Sequence, residues 1–75
     1  ASGMTQISIT LHQNSTAHLS VFDAKGLLVK QLWAGSQAAG TYEISFDARN
    51  LPAGLYTYRL VTESEIVAKR MVVVR

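Results

Sequence analysis

The chain has no cysteine, one proline and one tryptophan in 75 residues. Without thiols there is no disulfide framework, no thiolate metal site and no cysteine nucleophile. The compartment stays open, because exported proteins need not carry disulfides. Charge is sparse too: seven Lys and Arg against five Asp and Glu leave a net charge of +2. The cations are scattered apart from Lys69, Arg70 and Arg75, whereas nucleic-acid binders gather theirs on one face, so no nucleic-acid partner is expected. No apolar run approaches the roughly 18 to 20 residues of a bilayer span, and no basic-then-apolar leader opens the chain; membrane insertion is not expected. What is present is 48% hydrophobic residues, enough for a core, in a length that holds one small domain.

Those hydrophobic residues alternate. Residues 1–4 are small and patternless, the character of a cloning scar or linker, and the single domain is placed at residues 5–75. Over residues 5–12, Ile7, Ile9 and Leu11 point one way and Gln6, Ser8, Thr10 and His12 the other, as in a half-buried strand. After the polar turn 13–16, Leu19 and Val21 alternate with His18, Ser20 and Phe22, and residues 23–26 (Asp-Ala-Lys-Gly) read as a tight hairpin. Residues 27–33 break strict period two, which predicts a bulge or an early strand end. A loop bracketed by Gly35 and Gly40 follows, then a strand with Tyr42, Ile44 and Phe46 on one face. Residues 49–54 turn the chain at Pro52 and Gly54. Residues 55–62 carry Tyr56, Tyr58 and Leu60 on one face with Thr57 and Arg59 opposite, and after the turn 63–65 residues 66–74 set Met71 and Val73 against Arg70, Val72 and Val74. Six strands and no helical period predict an all-β antiparallel sandwich. Its inward set is Ile7, Ile9, Leu11, Leu19, Val21, Val29, Leu32, Tyr42, Ile44, Phe46, Tyr56, Leu60, Met71 and Val73.

Catalytic chemistry finds little to work with. No serine sits in a Gly-x-Ser-x-Gly turn, and no residue set suggests a metal or other cofactor; none is expected. His12 and His18 flank a polar loop and read as solvated strand residues, and Glu63 and Glu65 as solubilising charges on a turn. Trp33 offers a single ring where a sugar platform needs several coplanar ones, so rim packing is its expected role. Tyr56, after Leu-Pro-Ala-Gly-Leu, reads as a tyrosine corner whose hydroxyl bonds back to the preceding loop.

The ordered series of residues 21–29 (Val-Phe-Asp-Ala-Lys-Gly-Leu-Leu-Val), 39–42 (Ala-Gly-Thr-Tyr), Phe46-Asp47, 51–60 (Leu-Pro-Ala-Gly-Leu-Tyr-Thr-Tyr-Arg-Leu) and 69–75 (Lys-Arg-Met-Val-Val-Val-Arg) resembles the C-terminal sorting domains, type A, of type IX secretion cargo in Bacteroidetes-type bacteria. It departs from that pattern in having no Pro-Asn-Pro element before Gln6. The resemblance extends to the related Ig-like domain of flagellar hook-capping proteins. It implies a small Ig-like β-sandwich of six to seven strands and a non-catalytic role. The domain would direct an attached upstream cargo domain through the periplasm to an outer-membrane secretion translocon, and on to the cell surface or beyond after cleavage by a sortase-like peptidase. Gly54, Tyr56, Lys69, Arg70 and Arg75 are then the candidate recognition residues. A structural spacer or a carbohydrate-binding accessory module of a larger secreted protein is the alternative.

Overall fold

A computed structural model describes residues 4–74. Among these there are six strands: β1 (Met4–Leu11), β2 (Ser15–Phe22), β3 (Leu28–Gln37), β4 (Gly40–Asp47), β5 (Gly54–Val61) and β6 (Ile66–Val73). β1 and β4 form a two-stranded sheet, and the other four form a second sheet in the order β3-β2-β5-β6. Every pairing is antiparallel. The expected all-β sandwich forms, with two hairpins, β2–β3 and β5–β6, joined through the β2–β5 pairing. β1 begins at Met4, which pairs with Asp47, inside the stretch set aside as scar or linker. Residues 1–3 of that stretch lie outside the described residues, as does Arg75.

The core follows the alternation. Ile7, Ile9 and Leu11 of β1, Leu19 and Val21 of β2, and Phe46, Tyr56, Leu60 and Val73 are buried as expected. Ala17 and Ala48 are buried as well, and a small side chain gives the alternation little weight to reveal it. Val29, Leu32, Tyr42, Ile44 and Met71 are only half-buried against this core. All five sit on strands at a sheet edge: Val29 and Leu32 on β3, Met71 on β6, and Tyr42 and Ile44 on β4.

β3 departs most from the alternation. It does bulge: Leu19 pairs with Trp33 and Ser20 with Gln31, leaving Leu32 over, and Val21 pairs with Lys30 and Phe22 with Leu28, leaving Val29 over. Each extra residue lets an apolar side chain lean on the core, as bulges that redirect side chains do. The strand does not end early. It runs on through Gly35 to Gln37, so the glycine-bracketed loop shrinks to Ala38 and Ala39. Backbone pairing of Ala17 with Gly35 and of Ser15 with Gln37 carries the ladder where side-chain pattern is silent.

Turns are held by side chains. The Asp23 carboxylate accepts hydrogen bonds from the Lys25 and Leu27 amides, each at 2.9 Å, closing the β2–β3 hairpin. Glu63, expected as a solubilising charge, has a structural task instead. Its Oε1 accepts from Ser15 Oγ and the Thr16 amide, both at 3.3 Å, and its own amide donates to Ser15 Oγ at 3.2 Å. The β5–β6 turn is thereby tied to the start of β2, and nearby Asn14 Oδ1 accepts from the Ala39 amide at 2.8 Å.

At the opposite pole Arg49 closes on Asp47, with Nη2 at 2.7 Å from Oδ2 and Nε at 3.0 Å from Oδ1. The side-chain hydrogen bond from Arg49, helped by its backbone amide and charge, holds the Asp47 carboxyl at about 2. The same bond raises the Arg49 guanidinium above its ordinary value.

Two outcomes follow from this architecture. Leu19→Ala, at a site with no solvent exposure, should cost about 2–5 kcal/mol in denaturant unfolding, and Met71→Ala, half-buried, clearly less. Because the Asp47 pKa is lowered by folding, its contribution is present above its ordinary 3.8 and fades as pH falls toward about 2. NMR titration should place the Asp47 midpoint near 2, with Arg49→Gln returning it to the usual carboxylate range.

Candidate recognition surface of the β5–β6 hairpin

Four of the five candidate recognition residues fall on one hairpin. Gly54 pairs with Val73, Tyr56 with Met71, Tyr58 with Lys69 and Thr57 with Arg70. The fifth, Arg75, lies outside the described residues. The four do not make one cluster, because successive strand residues face opposite sides.

Gly54 and Tyr56 shape the backbone. Tyr56 is buried, and its hydroxyl donates to the Pro52 carbonyl at 2.7 Å, the tyrosine corner expected from the sequence. The arrangement occurs twice. In Ala39-Gly40-Thr41-Tyr42 the tyrosine hydroxyl donates to the Ala38 carbonyl at 2.6 Å, four residues back as in Ala53-Gly54-Leu55-Tyr56. Gly40 and Gly54 have φ of 149° and 154°, values that residues with a Cβ rarely adopt. Each glycine bends the chain into its strand, and each tyrosine locks the bend from the second residue on. The two short Ala-Gly-x-Tyr strings were visible in the sequence, and their repetition is the clue to a shared role.

Lys69 and Arg70 stand on opposite faces of β6. Lys69, beside Tyr58, borders a hollow of about 200 Å³ between β1 and β6 whose apolar wall includes Ile9, Leu60 and Val67 and whose rim includes Glu65. Arg70 points to the outer face with Thr57 as its cross-strand neighbour. Among the described residues β6 pairs with β5 alone, and that ladder runs from Ile66 to Val73 without a register shift, leaving its far side a smooth strand edge. β3, the other edge of the sheet, is bulged twice, a known way of blunting an edge.

The other candidates stay apart. His18 pairs with Ala34 and Val61 in the four-stranded sheet, while His12 follows β1 of the other sheet, so no hairpin brings them face to face. No group of three or more His, Cys, Asp or Glu suited to a metal occurs among the described residues. Trp33 meets the Tyr42 ring edge-on at 4.8 Å, half-buried between β3 and β4, which is rim packing. One contact went unread in the sequence. Phe22 and Arg59, assigned to the polar sides of their strands, lie together on the outer face, with the guanidinium carbon 4.6 Å from the ring centroid. The available clue was a large aromatic on the polar side of an alternating strand.

Two antiparallel sheets, a tyrosine corner and hairpins joined across a shared central pair define an Ig-like sandwich domain. The family model of the FlgD Ig-like domain matches residues 1–65, and the chain belongs to that family. β6 lies beyond the matched span. No curated protein and no solved structure matches the chain.

The two tyrosine latches differ in burial, which sets an expected order. Tyr56→Phe should cost about 1–2 kcal/mol, since it strands a part-buried carbonyl, and Tyr42→Phe, at an exposed bond, less than about 1 kcal/mol. Denaturant melts of the two variants measure both.

Proposed function

We propose that this Ig-like domain is a non-catalytic sorting domain of the type IX secretion kind, carrying an attached protein from the periplasm through an outer-membrane translocon to the cell surface. The observation behind this reading is the β6 edge: eight residues, smooth, without proline, with Lys69 and Arg70 side by side and facing opposite ways. Such an edge suits recognition by strand addition, in which backbone bonds supply affinity and alternate side chains supply identity. The ordered series of sequence elements, ending in the basic-then-apolar run of β6, supports the same reading. Gly54 and Tyr56 serve it indirectly by fixing where β5, and so its partner β6, begins.

The family match supports a second reading, a structural Ig-like module within a larger protein, because the matched residues stop before β6. The two readings differ in what β6 is for. In the first its edge is a recognition element; in the second it only completes the sheet.

Fusion of the chain to a periplasmic reporter in a host with type IX machinery separates them. Wild type and Lys25→Ala, in the β2–β3 turn, should reach the cell surface. Lys69→Ala, Arg70→Ala and Arg75→Ala should accumulate in the periplasm. Lys69 and Arg70 are exposed, so their variants should keep melting temperatures within a few degrees of wild type, since exposed substitutions change stability by no more than about 0.5 kcal/mol. Equal delivery of all variants removes these cations from the recognition element. Retention of the wild-type fusion in the periplasm favours the structural module.

A further inference from the structure

The two broad faces of the sandwich are chemically unlike. The outer face of the β1–β4 sheet carries Gln6, Ser8, Thr10, Thr41, Glu43 and Ser45, the polar set expected of a solvated sheet. The outer face of the four-stranded sheet does not follow suit. Cross-strand register places Leu28 beside Phe22, Leu55 beside Val72 and Val61 beside Ile66, all on that side. Leu28, Leu55, Ile66 and Val72 are between 42% and 68% exposed.

Beside Phe22 and Leu55 on this face lies a hollow of about 490 Å³, with Thr57, Arg59 and Ala68 also in its wall. Ala68 opens it, being the small residue opposite Arg59 in the β5–β6 register. The Arg59 guanidinium lies over the Phe22 ring, a contact that orients its plane and leaves its N–H edge to reach a planar acceptor. No acidic residue occupies a register position on this face, and among the described residues neither Arg59 nor Arg70 forms an ion pair. Asp23 also borders the hollow, but its carboxylate is engaged by the Lys25 and Leu27 amides.

We propose that this face is a docking surface for a protein segment bearing a carboxylate flanked by apolar side chains, with Arg59 as the anchor for the carboxylate and the hollow beside Ala68 as the seat for an apolar neighbour. Charge complementarity selects this occupant. A second copy packed face to face brings no acidic register position to meet Arg59 and Arg70, and a neutral apolar partner would bury both guanidiniums unpaired. The surface uses the side chains on the outer face of β6 and leaves its free backbone edge unused, so it stands whichever reading of the function holds.

The test uses the isotopically labelled chain and N-acetyl-Leu-Glu-Leu-amide, followed by NMR. Saturable shifts are expected at Phe22, Leu55, Arg59 and Ala68, with Thr41 and Glu43 on the opposite face unmoved. The same peptide with Gln in place of Glu should bind about tenfold more weakly, as should the Glu peptide to Arg59→Gln, because a charge-assisted bidentate contact is lost. Ala68→Leu, which fills the hollow and keeps Arg59, should weaken both peptides, while Lys25→Ala should change neither. Absence of saturable shifts on this face overturns the proposal, as does equal binding of the two peptides or indifference to Arg59→Gln in a variant whose spectrum remains folded. Phosphatidylglycerol vesicles form the last arm: association through these residues in the absence of any peptide shift would assign the face to lipid and overturn the protein partner.

Discussion

β2 lies at the centre of the larger sheet, and the fold depends on what it joins. On one side it carries β3; on the other, five residue pairs from His18–Val61 to Phe22–Thr57 bind it to β5. Without that second seam the chain holds two separate hairpins, each marginal in water. With it, Ala17, Leu19 and Val21 are sealed completely, and Leu60 and Tyr56 of β5 share their side of the sheet under β1 and β4. The Glu63 contacts to Ser15 and Thr16 reinforce the same seam from its end, fastening the turn of one hairpin to the first residues of the other. The register of this seam also sets the outer face, since it brings Arg59 of β5 over Phe22 of β2.

Most of the architecture was legible because alternation is a direct image of a half-buried strand. Ile7, Ile9 and Leu11, or Tyr56 and Leu60, could hardly face inward in any other element of that length. The tyrosine corner was legible for a local reason: Leu-Pro-Ala-Gly-Leu-Tyr contains its donor, its acceptor and its turn within six residues. What the sequence did not disclose depends on pairings between distant strands. Gly35 to Gln37 look like a loop until β2 offers them a ladder, and Glu63 looks idle until Ser15 is brought beside it. Lys69 and Arg70 are adjacent in the chain, yet which of them faces the hollow between the sheets and which the outer surface is fixed by the partners of β5. The Phe22–Arg59 contact, spanning two strands, belongs to the same class.

Family membership and the proposed role rest on different parts of the chain. Membership in the FlgD Ig-like family is carried by residues 1–65, which hold five of the strands and both tyrosine latches. The sorting reading leans on β6. A shared framework with a variable final strand is one way for a common sandwich to acquire distinct duties, since a fold sets where a surface lies and the residues on it set what it meets.

The paired tyrosine latches have a consequence for the phase of the strands that follow them. Each joins residues only four apart, Tyr42 to Ala38 and Tyr56 to Pro52, and so needs no distant strand in place before it closes. Once closed, it fixes the phase of β4 or β5 against the turn before it. A slip of β5 by a single residue would turn Arg59 into the core and Tyr58 out to solvent along its whole length. The latches act as starting marks on a ruler: being local, they tie to the turn before each strand which of its sides is interior and which is the face shown to other molecules.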